Sequence, residues 1–352
     1  MAPRAITASG FLILYNRVIF LTVFTQRGLT VPRIKECLMT QKVFDCFTFF
    51  NELELLELRL RELNSVVDYF VIVESTLTFQ GEEKELFFLK NKHRFEDYMD
   101  KIVHIVVDDM PTDGEKIWAR EHFQRSAIKR AFNLPQGRDI IIISDADEIP
   151  SVQAIEKMRE SGSFFQLDMP MFQYYMNFMA HEEGWNKAFA FTFDVVDLIP
   201  DFNEVRVKQE ETIKIFQEKG IILKKSGWHF TYLGGPERIR QKLNAFSHTG
   251  GWWSEMLADG GIENQLAIGY TVGNQEHFAR YCEIDESFPR VLRERLDYFE
   301  KNGFVKNPYD ALRDMQNIIK LFSKELERKE MIRNELVEGV SHLSEILTRS
   351  KS

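Results

Sequence analysis

The sequence predicts an α/β fold: a mostly parallel sheet flanked by helices and followed by a C-terminal helical tail. Three observations carry that reading. Ile140–Ile143 is an unbroken apolar run, and a strand of that kind is buried on both faces, as in parallel sheets. A strand, a leucine-striped helix and a second strand follow one another between residues 42 and 74. Such a crossover unit is right-handed and joins parallel strands. From about Asp285 the pattern changes to long helix-forming stretches broken mainly at Gly303, Pro308 and Gly339.

Phe11–Phe24 is apolar apart from Asn16, Arg17 and Thr22. It is short and interrupted for a transmembrane helix. With Arg4 ahead of it, its length fits the apolar core of a signal peptide or signal anchor. Domain-like patterning starts near Gln41, so residues 1–40 are expected to be an extension outside the main fold. Lys42–Phe50 is aromatic and β-branched, and reads as the first strand. Asn51 suits an N-cap, and Glu52 and Glu54 favour a first helical turn. Leu53, Leu56, Leu60 and Leu63 then form one apolar stripe. Asp68–Glu74 is the second strand and Ile102–Val107 the third.

Trp118–Phe132 is helical, with Phe123, Ala127 and Ala131 on one face and Arg120, Glu121, Gln124 and Arg125 on the other. Leu134–Gly137 turns the chain into the central strand. A short helix is expected to about Arg159, then strands at Phe164–Leu167 and Phe172–Phe178 with Asp168 between them, and a polar loop at His181–Trp185. Gly227, Gly234 and Gly235 bracket a short aromatic strand that holds His229. Pro236 suits the first position of the next helix. Gly250-Gly-Trp-Trp253 reads as an exposed loop with an indole free to stack on a ligand. Leu312, Met315, Ile319, Phe322 and Leu326 step by three and four. That is an amphipathic tail, packed on the domain or pairing with a second copy as a homodimer.

The formal net charge of −9 argues against non-specific nucleic-acid binding. Cys37, Cys46 and Cys282 form no Cys-X-X-Cys pair, which argues against a cysteine zinc site and a disulfide framework. No Asn-X-Ser/Thr acceptor is present, and that leans against a glycosylating lumen. The thirty Phe residues are unusual; Phe is mostly core, but a surplus can also line a groove for a flat-faced ligand such as a sugar.

The central strand ends in Asp145, Asp147 and Glu148, three carboxylates within four residues. Ligands of open α/β sheets bind at that end of the strands. Asp145 and Asp147 are two apart, so in extended backbone they point the same way. Two hard oxygen ligands suit Mg²⁺ or Mn²⁺ completed by water and a diphosphate. A solvated acidic turn is the plainer alternative, because Asp-X-Asp alone is common. Arg120 and Arg125, on the helix that leads into this strand, are placed to reach a diphosphate. Glu74, at the end of the second strand, is another pocket candidate. His229 is a candidate third metal ligand.

The ordered set of these segments resembles glycosyltransferase family 17. The resemblance rests on Phe44–Leu60, on Val67–Ser75 with Thr78-Phe79, and on Trp118–Arg125. It continues in Ser144–Pro150, in Gly227–Gly235 and in Phe246–His248, and covers roughly residues 42–285. It implies a GT-A-like fold, in which a Rossmann-like nucleotide half runs into an acceptor half. It implies a UDP-sugar donor, most often UDP-N-acetylglucosamine, transferred with inversion to a glycan such as the core mannose of an N-glycan. Asp145 and Asp147 would hold Mn²⁺ on the diphosphate, with His229 as a distal ligand and Arg120 and Arg125 as diphosphate partners. The implied organisation is residues 1–40 as extension or weak anchor, 41–285 as the transferase domain and 286–352 as the tail. No clear anchor is visible, so a cytoplasmic or membrane-associated enzyme is expected, with the Golgi membrane as the alternative.

An inverting transfer needs an Asp or Glu to take the acceptor proton. Glu148 and Asp168 are the candidate bases, with Glu182 and Glu183 beside them. Asp145→Ala or Asp147→Ala is expected to abolish transfer with little loss of stability. Two other functions compete. A metal-dependent nucleotidyltransferase also uses strand-end acids, but the acidic, glycine-free Asn51-Glu-Leu-Glu argues against it. A non-catalytic glycan-binding relative is the other, although all three acids are in place.

Overall fold

The computed structural model describes residues 12–15, 18–21, 41–111, 118–245, 256–258, 261–268, 270–271, 274–322 and 330–349. The chain divides into two units, Met1–Thr40 and Gln41–Ser352. In the first unit Leu12–Tyr15 and Val18–Leu21 pair as an antiparallel hairpin, in keeping with the strand preference of Val18, Ile19 and Phe20. Among the described residues no helix is long and apolar enough to cross a membrane.

The second unit begins with β1 (Val43–Phe49), α1 (Leu53–Leu63), β2 (Tyr69–Ser75) and β3 (Ile102–Val107). Then come α2 (Ala119–Ser126), β4 (Ile140–Asp145), β5 (Glu148–Pro150) and α3 (Val152–Glu160). Strands β3, β2, β1 and β4 lie side by side and are all parallel. This is the Rossmann-like half, and its strands end together at one edge. Along β4, Ile140 and Ile142 join one core and Ile141 and Ile143 the other, which is why the run has no polar alternation. The first core holds Leu56, Leu60 and Ile155 from α1 and α3; the second holds Ile128 and Phe202 from beyond the opposite face.

The sheet continues through β6 (Phe164–Gln173), β7 (Phe178–Trp185) and β8 (Phe189–Thr192). Strand β8 is inserted antiparallel between β4 and β6, so β6 again runs parallel to β4. Strand β7 is likewise antiparallel to β6, so the parallel half runs into a mixed half and the whole is an α/β architecture with a mixed sheet. Three segments differ from expectation. The strand expected at Phe172–Phe178 is instead the end of β6, a turn at 174–177 and the first residue of β7. The interruption expected around Asp168 is absent: β6 is continuous, and Pro170 falls where it changes partners, from β8 and β9 (Gly220–Lys224) to β7 and β10 (Gly227–Thr231). Proline is tolerated there because no ladder bond is lost. The polar loop expected at His181–Trp185 is instead the end of β7.

The descending chain adds α4 (Phe202–Val207) and α5 (Gly235–Ala245). The tail folds onto the same unit. Phe288, Leu292 and Phe299 enter the first core, and the Glu62 carboxylate accepts the amides of Arg290 and Val291 at 3.1 and 2.9 Å. The last two helices, α6 (Pro308–Phe322) and α7 (Glu330–Arg349), set Ala311, Leu343 and Ile346 against Phe178 and Tyr281.

Candidate active site

The site is built on the loop that joins β4 to β5. Parallel pairing sets Thr48 at the end of β1 opposite Asp145 at the end of β4, and Thr48 Oγ1 donates to Asp145 Oδ1 at 3.0 Å. The loop itself is held from inside by Arg59. Its side chain is fully buried, reaches Asp45 through Nε at 2.7 Å, and donates through Nη1 to the carbonyls of Asp145 (2.9 Å) and Glu148 (3.0 Å). Its Nη2 donates to Ser144 Oγ at 2.7 Å. Turning these carbonyls onto one guanidinium leaves the Asp145 and Asp147 side chains facing the other way, into a cavity of about 340 Å³ that both of them line.

Among the described residues, four basic side chains line that cavity. Arg125, from α2, donates to Glu121 and Asp145 at 3.0 Å each and to Asn203 Oδ1 at 2.6 Å. Arg206, from α4, donates to Asp145 Oδ2 at 2.7 Å and to Glu148 Oε2 at 2.8 Å. Lys242, from α5, donates to Asp147 Oδ2 at 2.6 Å. Lys84 is the fourth. Burial by itself would raise the Asp145 carboxyl, but Arg206 and Arg125 outweigh it and hold it down to about 2. Burial opposes ionisation of Asp147 too, and Lys242 with His229 keeps it well below the usual carboxylate range. The Lys242 ammonium is in turn pushed up by Asp147 against the effect of its own burial. Asp145, Asp147, Arg206 and Lys242 are therefore charged at neutral pH.

Among the described residues, four acids, Glu52, Glu121, Asp145 and Asp147, balance those four bases on the lining. The remaining wall mixes the aromatic side chains Phe49, Phe50, Phe79 and Trp118 with polar ones such as Thr48, Gln124 and Thr231.

The structure brings Asp145, Asp147, Arg125 and His229 together on the cavity and leaves the other sequence candidates off it. Glu148 is fully buried behind the floor, where it accepts the Asp145 amide (2.9 Å), Trp185 Nε1 (2.7 Å) and Arg206. Asp168 is buried within β6, paired with Lys224 and accepting the Gly184 amide at 2.8 Å. Neither offers an open carboxylate to a bound acceptor. Glu182 is exposed and paired with Lys225, and the Glu183 side chain and the Gly250–Trp253 loop lie outside the described residues. Glu74 is fully buried, accepting the Phe88 amide at 3.0 Å beside His104. Arg120 donates to the carbonyls of Pro111 (3.1 Å) and Phe79 (3.2 Å) and so pins the turn over the cavity.

Sequence reasoning missed Arg59, Lys84, Arg206 and Lys242. Arg59 left a readable trace, a cation at helical spacing inside the stripe Leu56, Leu60, Leu63. Arg206 and Lys242 left none, because what marks them is the partner they reach.

Among the described residues no three His, Cys, Asp or Glu side chains converge as a ready metal cluster. Two do face each other: Asp147 Oδ1 and His229 Nε2 lie 3.7 Å apart. That is too long for a hydrogen bond, and short enough for one divalent cation to touch both at about 2.1–2.2 Å. His229 is held in place by Trp185, stacked on it at 4.2 Å between centroids, and its buried Nδ1 makes no hydrogen bond. Two protein ligands suffice where phosphates and water complete the shell. The pair fits a catalytic cation of that kind.

Sequence comparison matches Glycosyltransferase family 17 over residues 33–270. Curated relatives named Beta-1,4-mannosyl-glycoprotein 4-beta-N-acetylglucosaminyltransferase, from Rattus norvegicus and Homo sapiens, are each 25% identical over 249 residues. The matches cover 58% of this chain but 42% and 43% of theirs, so the chain spans less than half the length of these relatives. Among solved structures, glucosyl-3-phosphoglycerate synthase from Mycobacterium tuberculosis in complex with Mn²⁺, UDP-glucose and phosphoglyceric acid is 10% identical, with a TM-score of 0.35 over 77% of this chain and 97% of that one. HddC from Yersinia pseudotuberculosis is 9% identical, with a TM-score of 0.30 over 55% of this chain and 90% of that one.

Proposed function

The chain belongs to glycosyltransferase family 17, and from that premise we propose that it is an inverting transferase that moves N-acetylglucosamine from UDP-N-acetylglucosamine onto a glycan, with help from a divalent cation. One observation carries the reading. Asp145 and Asp147 sit at the carboxyl edge of parallel strands, in a partly aromatic cavity where the fixed charges of the described lining residues already balance. A nucleotide diphosphate brings two negative charges that this lining cannot compensate alone, and one divalent cation would.

Asp147 and His229 would hold that cation, which supplies Lewis-acid stabilisation of the departing diphosphate. The protein's own groups do the rest. Arg125 and Arg206 fix the Asp145 carboxylate from two sides, so it is oriented before any ligand enters. Phe49, Phe50, Phe79 and Trp118 give flat apolar faces to a base or sugar and exclude water from the reacting bond. The acceptor proton must pass to a carboxylate that faces the cavity. We take Glu52 and Glu121, the two lining acids outside the Asp-Ala-Asp loop, as the candidate bases in place of Glu148 and Asp168.

The test is UDP release from a panel of UDP-sugars, with Mn²⁺ and with chelator, in the presence and absence of a mannose-bearing N-glycan. Metal-dependent, acceptor-stimulated release from UDP-N-acetylglucosamine is the expected result. Absence of turnover with every UDP-sugar, together with binding of the glycan alone, overturns it in favour of a non-catalytic glycan-binding protein.

A further inference from the structure

The four cations of the cavity are not equivalent. Arg125 is committed to Glu121 and Asp145, Arg206 to Asp145 and Glu148, and Lys242 to Asp147. Lys84 has no such partner: among the described residues no carboxylate lies within ion-pair distance of it, and its neighbour Glu85 is taken by Lys90. Its Nζ makes only a long contact of 3.4 Å to the Glu85 carbonyl.

The side chain is nevertheless held. Lys84 lies on the turn that follows β2, where its amide donates to the Thr76 carbonyl at 2.9 Å and Leu77 bridges to Glu83. Its ammonium rests between two rings, 5.5 Å from the centroid of Phe50 and 5.8 Å from that of Phe87. Aromatic faces tolerate a cation but do not neutralise it. Burial accordingly pushes the Lys84 ammonium below its ordinary value, despite the opposing pull of Glu74 and Glu52. A partly buried cation on a cavity wall, with its stem fixed and its counter-charge missing, is a binding group for an anion that arrives with the ligand.

We propose that Lys84 is a donor-binding residue, whose ammonium pairs with a phosphate oxygen of the nucleoside diphosphate. This rests on the donor reading given above and names the contact that reading lacked. It separates two jobs within one cavity. Arg125, Arg206 and Lys242 shape the acids, while Lys84 meets the ligand's own charge. Because substrate and product both carry the diphosphate, the contact governs affinity for both.

The experiment is calorimetric titration of the full chain with UDP and with uridine, in Mg²⁺, for wild type, Lys84→Met and Lys84→Arg. Lys84→Met should weaken UDP by about 10–100-fold while leaving uridine unchanged. Lys84→Arg should recover most of that loss. Thermal melting of Lys84→Met should be at or above wild type, because a poorly compensated charge has been removed. Equal affinity of wild type and Lys84→Met for UDP overturns the proposal while leaving the donor reading intact. A parallel loss for uridine also overturns it, since that would mean the turn had moved. Wild type that binds neither UDP nor UDP-N-acetylglucosamine overturns the donor reading itself, and the Lys84 assignment with it.

Discussion

Helix α1 presents charged groups on two faces, and the two faces use the same chemistry to different ends. Inward, Arg59 meets Asp45 with both side chains fully buried. Outward, Glu57 meets Arg61, Arg94 and Arg295, and Glu54 meets Arg94 and Arg238, with the arginines 28–44% exposed. The inner cluster has no water to fall back on, so each donor must find an acceptor in one geometry. It therefore fixes the loop that carries Asp145 and Asp147. The outer cluster can exchange partners with solvent, so it fastens α1 to the tail and to α5 without specifying either closely. The difference teaches that a buried ion pair here is a positioning device first and a source of stability second.

The sharpest way to break that comparison is Arg59→Met. It leaves Asp45 buried without its arginine and frees the loop carbonyls of Asp145, Ala146 and Glu148, for an expected loss of about 3–5 kcal/mol. Urea unfolding measures it. A loss under about 1 kcal/mol would put the inner cluster in the same class as the outer one. Next comes Asp147→Asn, which removes the paired charge of Lys242 and the acid facing His229. We expect transfer to fall by on the order of 10²-fold or more, with a measurable drop in stability as well. That stability loss runs against the sequence-based expectation of little effect on the fold, because Asp147 neutralises a lysine held in the cavity wall. Asp168→Asn is the control. Asp168 is bound to Lys224 and the Gly184 amide and does not line the cavity. Its substitution should leave kcat within about twofold of wild type, and a large loss would return Asp168 to the list of catalytic bases.

What could be read from sequence follows the same division. The sheet was legible because Ile140–Ile143 and the leucines of α1 are periodic signals set by local burial. Asp145 and Asp147 were legible because strand-end acids are close together in the chain. Glu148 and Asp168 looked equally available in sequence, yet both are turned inward. The discriminating facts are Arg206, 58 residues on from Glu148, and Lys224, 56 residues on from Asp168. Partners at such separations leave no local pattern. Lys242 and Lys84 were illegible for the same reason, since a lysine on a polar segment looks solvated until the fold closes over it.

The smallest effect belongs to the outer seam. Burial would raise the Glu57 carboxyl, but Arg295 and Arg61 more than offset that and hold it below its ordinary value. A depressed carboxyl stabilises the fold above its unfolded value of about 4.3 and loses that contribution as pH falls through the lower folded value. Glu57→Gln should therefore cost no more than about 1 kcal/mol near neutral pH. Below the ordinary carboxylate range, where wild-type Glu57 is itself protonated, the gap between variant and wild type should close. Raising salt at neutral pH should narrow it too, because exposed arginines are screened. Parallel unfolding curves across pH and salt check both points. A gap that survives acid and salt would mean that the seam is specified as tightly as the loop under the site.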